Sequence, residues 1–79
     1  MPIQYEKNLA LFSGVVSGEE AESLLEWLQK WPAAKVDLAT CDHMHPANIQ
    51  VLIAAKTRVS AWPKDESFSS WLMTVLESA

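Results

Sequence analysis

Between residues 35 and 56 the chain passes from a strand to a helix through one short polar turn, and this transition constrains the fold more than any other feature. Val36-Asp37-Leu38 alternates as a strand does, Asp42, His43 and His45 make the turn polar, and Pro46 opens a helix with Ile49, Leu52 and Ile53 on one side. Proline suits the first helical position because its missing N–H would have no intrahelical acceptor there. Ala54-Ala55 allow close packing, and the helix is expected to run to about Thr57.

The flanking segments repeat this logic. Ile3 and Tyr5 alternate with polar neighbours and predict a short first strand, turning near Lys7-Asn8 into a buried strand from Leu9 to Val16 that Gly14 kinks or bulges. Ser17 lies three residues before Glu20, the spacing of a capping box, so a helix should start there and end near Trp31, before Pro32. Ala21, Leu24, Leu25, Leu28 and Trp31 share one side of it. Val59 to Trp62 predicts a brief strand closed by Pro63, and Asp65 should cap a last helix with the stripe Phe68, Trp71, Leu72, Val75 and Leu76. The expected order is β-β-α-β-α-β-α, an α/β fold with a small mixed sheet and helices packed on it, in a single domain over residues 1–79.

A chain of 79 residues has a thin core, since so short a chain buries only about 60% of its unfolded surface. The net charge of −4 combines ten acids with six scattered bases, so no basic stripe tracks phosphates and nucleic acid is not an expected partner. The single cysteine, Cys41, cannot close an internal disulfide and suits a reducing compartment. The first residues lack the basic start and apolar run of a secretory signal, and no apolar run reaches the roughly 18 residues that cross a bilayer. A cytoplasmic protein without direct membrane insertion is expected.

Cys41, Asp42, His43 and His45 span five residues and include the common zinc-ligand types. A zinc site needs ligands converging to about 2.0–2.3 Å, and the sequence has no second cluster to complete a tetrahedron. A Cys-His nucleophile would need a convergent base and an oxyanion pocket, which adjacency in sequence does not supply. The alternatives of a small metal-dependent or thiol-dependent enzyme therefore stand behind a non-enzymatic reading with no cofactor. Cys41 and Met44 are expected to face the core, with His43 and His45 in solvent. Neither glycine, Gly14 or Gly18, belongs to a nucleotide-binding fingerprint. Of the four tryptophans, Trp31 and Trp71 lie on apolar stripes and are expected in the core, while Trp27 and Trp62 are the better interface candidates.

Phe12-Ser13-Gly14 followed by a helix, Val36-Asp37-Leu38-Ala39, and Ile49-Gln50-Val51-Leu52-Ile53-Ala54-Ala55 at ungapped spacing together resemble the STAS domain of anti-sigma factor antagonists and sulfate transporter tails. The resemblance spans residues 9–59. The family's middle motif reads approximately Asp-Leu-Ser, then about five residues, then Asp-Ser-Ser-Gly-Leu-Gln opening a helix. Here His45 stands at the acid of that turn, Pro46 and Ala47 at the two hydroxyl positions, and Asn48 at the glycine. The family's phosphorylated serine or threonine corresponds to Ala47, which cannot accept a phosphate.

The resemblance implies a protein-interaction module in bacterial cytoplasmic signalling, without the usual serine phosphorylation switch. Its partner-binding residues would be Asp42, His43, His45, Ala47, Asn48 and Gln50, with Asp37 structural at a strand end. The implied partner is an anti-sigma factor or kinase-like regulator. The alternative is an accessory role in an ABC lipid transport complex, bound to the transporter ATPase. Many family members continue through a further strand and a longer helix, so a homodimer covering an exposed edge is a further expectation.

Overall fold

A computed structural model describes residues 2–77. The elements are β1 (Ile3–Tyr5), β2 (Leu9–Val16), a single 3-10 turn (Gly18–Glu20), α1 (Ala21–Lys30), β3 (Lys35–Met44), α2 (Pro46–Ala55), β4 (Arg58–Ala61) and α3 (Glu66–Glu77). The strands form one sheet in the order β1-β2-β3-β4. β1 is antiparallel to β2, whereas β2, β3 and β4 run parallel. This is the small mixed sheet with helices that the sequence predicts.

Two successive crossovers, β2-α1-β3 and β3-α2-β4, step in the same direction across the sheet. Right-handed crossovers then place both helices on one face, and α1 and α2 do pack together. The strand register shows which side chains they cover. Tyr5, Ala10, Val36 and Val59 are aligned across all four strands, with Ile3 beside Phe12, and all six belong to the core or pack against it. Leu72 brings α3 into the same core cluster. The opposite face carries the row Gln4, Leu11, Asp37 and Ala61 and the row Leu9, Lys35 and Arg58.

The principal correction to the sequence reading concerns β3. Asp42 and His43 are strand residues, because β3 continues to Met44 beside Val16 of β2. The β2–β3 register shifts twice, between Leu11 and Ser13 and between Gly14 and Val15, and each shift inserts an extra residue on β3. Inward residues therefore fall at Val36, Leu38, Cys41 and Met44, and the two-residue period is lost after Leu38. Local side chains hold these irregularities: Asp37 Oδ1 accepts from the Ala39 N–H at 2.9 Å and Thr40 Oγ1 donates to the Phe12 carbonyl at 3.0 Å. Asp37 thus has a structural role, but within the strand. Gly14 takes φ 62, a left-handed conformation, beside the second register shift, so β2 is irregular at its glycine as expected while the extra residue lies on β3.

The helix starts divide. Asp65 caps α3 as expected, its Oδ1 accepting from the Phe68 N–H at 2.9 Å. Ser17 makes no side-chain cap, and its carbonyl instead accepts from the Glu20 N–H, so α1 begins with a 3-10 turn. The tryptophan assignment is reversed. Trp31 and Trp71 are 41% and 52% exposed, while Trp27 and Trp62 pack against the core. Trp31 follows the last turn of α1 at φ −124, ψ 71 and so leaves the helical stripe. Trp71 sits one position, about 100°, from Leu72 at the centre of its buried stripe.

Candidate functional site

The junction of β3 with α2 is stitched to the end of β2. His45 is the N-cap of α2, in extended conformation at φ −62, ψ 141, with Pro46 behind it. Its N–H donates to the Val16 carbonyl at 2.9 Å, extending the strand ladder by one bond. Its Nδ1 accepts from the Ala47 N–H at 3.0 Å, a task usually given to serine, threonine, asparagine or aspartate. Gly18 lies against the imidazole, close enough that a β-carbon there would be 3.1 Å from Nδ1. Asn48 closes the seam, its Nδ2 donating to the Ser17 carbonyl at 2.7 Å.

These contacts sort the residues expected at the partner surface. His43, His45 and Gln50 are exposed and Ala47 is half-buried. Asn48 is fully buried, so it cannot meet a partner directly; it fastens α2 to the β2 end, and its Oδ1 has no partner among the described residues. Asp42 is exposed but lines a separate cavity of about 400 Å³ with Thr40, Lys64 and Asp65. The six residues are therefore not one surface.

The feature that residue-by-residue reading missed is the outward side of α2. Across Pro46–Ala55 there is no charged residue. Asn48, Ile49 and Leu52 face inward with Val51 and Ile53 packed against the core beside them, leaving Pro46, Gln50, Ala54 and Ala55 exposed and Ala47 half-buried. Solvent-facing sides of globular helices are ordinarily charged or polar. Here only Gln50 is polar. The sequence signal was available as ten residues without an Asp, Glu, Lys or Arg.

Nucleophilic chemistry is poorly served here. Burial is the main reason that the Cys41 thiol is pushed up to about 11, and the charge of Asp42 adds to it, so the thiol is protonated at neutral pH. Its Sγ donates to the His43 backbone carbonyl at 3.5 Å. Among the described residues no three His, Cys, Asp or Glu side chains are grouped to hold a metal ion. Also among them, no helix is long and apolar enough to cross a membrane.

No protein-family model matches this chain, and no curated protein sequence matches it either.

Proposed function

We propose that this protein is a non-enzymatic protein-interaction module of STAS-like design that docks a cytoplasmic partner through the outward side of α2. The observation that carries the reading is the absence of charge from a ten-residue helix whose outer side, Pro46, Ala47, Gln50 and Ala54, is at least partly open to solvent. A charge-free side of this kind loses little on desolvation and favours an apolar partner surface. Resemblance to anti-sigma factor antagonists supports a kinase-like or anti-sigma regulator as that partner. His45 supports the surface by capping the helix start, and Asn48 holds the helix in place from below. With Ala47 where the family carries its phosphorylated hydroxyl, control of docking falls to the partner or to its abundance.

The test is a pull-down from native cell extract with the wild-type chain, Ala54→Arg and the remote control Lys64→Glu, each checked by thermal melting. One protein retained by wild type and control but lost with Ala54→Arg, at unchanged melting temperature, supports the reading. Equal retention by all three overturns it.

A further inference from the structure

Five of the six bases, Lys7, Lys30, Lys35, Lys56 and Arg58, lie at the end of the sheet where the parallel strands begin. Three of them, Lys35, Lys56 and Arg58, line one cleft of about 320 Å³ whose remaining wall is Pro32, Ala33 and Ala34. No acid lines it. Glu6 and Glu77 belong to the same end of the molecule but not to the cleft wall, and among the described residues no ion pair joins the three cations to a carboxylate.

Two features of this cluster are unfavourable for the fold alone. Lys35 and Arg58 are direct cross-strand partners in the β3–β4 ladder, where like charges repel. Lys56 occupies the left-handed position after α2, at φ 53, ψ 43, and is the one non-glycine residue with positive φ among the described residues. Glycine is the preferred residue there. The negative end of α2 accounts for a cation at Lys56 but not for Lys35 and Arg58, which are carried by strands.

We propose that this cleft binds a compact, multiply charged phosphate ester or pyrophosphate group. Three cations lining one cleft answer two or three negative charges held close together, the arginine offers a planar fork to two phosphate oxygens, and the lysines serve as point charges. The volume is at the lower end of the range for small-molecule sites. The cleft is made from the β3 and β4 starts and the α2 end, whereas the proposed docking surface is the outward side of α2, so either assignment can fail without the other.

The experiment is an amide NMR titration of the intact chain with pyrophosphate at constant ionic strength, beside sodium chloride and citrate. Saturable shifts concentrated at residues 33–35 and 56–58, with citrate weaker, are expected. Arg58→Gln should weaken binding at least about fivefold. Lys56→Gly should weaken it similarly without lowering the melting temperature, since glycine is at ease in the left-handed conformation. Non-saturating shifts, equal shifts with chloride, shifts as large around Lys64, or affinities unchanged in both variants would overturn the site. Tighter binding of citrate would overturn the phosphate assignment.

Discussion

Gly18 lies against the imidazole of His45, so that a β-carbon at Gly18 would sit 3.1 Å from Nδ1, the atom that accepts the Ala47 N–H. The glycine therefore leaves the cap its room. Gly18 does not have a positive φ, and alanine is compatible with its backbone.

Gly18→Ala should therefore depend on His45 for its sign. With His45 present, the methyl group displaces the ring and weakens the cap, costing about 0.5–1 kcal/mol. In a His45→Ala background only the entropic advantage of alanine remains, and the same change should stabilise by about 0.4–1 kcal/mol. A double-mutant cycle by urea denaturation measures the difference. Additive effects would show that the ring and the glycine are not coupled.

Asn48 should tolerate neither truncation nor charge. Asn48→Ala removes the bond to the Ser17 carbonyl and should cost about 1–2 kcal/mol. Asn48→Asp places a carboxylate in a fully buried position facing the Val16 and Ser17 carbonyls, and should cost at least about 3 kcal/mol at neutral pH. Equilibrium unfolding gives both values, and equal costs for the two variants would contradict the buried geometry.

The aromatic residues should separate sharply. Trp27→Ala removes a core contact in which its ring lies 5.1 Å from that of Tyr5, and should cost about 3 kcal/mol. Trp31→Gln and Trp71→Gln, at exposed positions, should stay within about 0.5–1 kcal/mol of wild type. Tyr5→Phe should stabilise by up to about 1 kcal/mol, because the buried Tyr5 hydroxyl has no hydrogen-bond partner. Thermal melts of the four variants check the ranking, and a large loss in Tyr5→Phe would reveal a partner for that hydroxyl.

Stability should fall with alkaline pH in a way that traces to Cys41. Its thiol is held at about 11 against an ordinary 9.0, so between these values the folded chain keeps a proton that the unfolded chain has lost. The contribution is fully present below pH 9.0 and disappears as pH rises toward 11, an amount on the order of 2 kcal/mol. The Tyr5 hydroxyl, raised by burial and then by Glu20, acts in the same direction at higher pH. Cys41→Ser should show a shallower decline over this interval in urea midpoints, and an identical decline would remove Cys41 as its source. Thiol reagents at pH 7.5 should modify the native protein far more slowly than the unfolded chain.

The sequence by itself determined the elements whose signals are local. Pro46 opens α2, Asp65 caps α3, Gly14 marks an irregular point of β2, and the change from two-residue to helical periodicity places the other segments. These are properties of a few neighbouring residues and survive in any surroundings. The charge-free run of α2 was equally visible, but its meaning depended on knowing which side faces out.

Tertiary structure alone decided the rest. Whether Asp42 and His43 form a turn or a strand depends on a parallel neighbour, Val15-Val16, that is remote in sequence, and two register shifts erase the alternation that would have shown it. Asn48 looks like an ordinary exposed helix-start residue until the Ser17 carbonyl arrives above it, and Trp31 belongs to an apolar stripe until the helix ends one residue earlier. Strand pairing, burial and the gathering of Lys35, Lys56 and Arg58 around one cleft are made by contacts between distant segments, which no local pattern encodes.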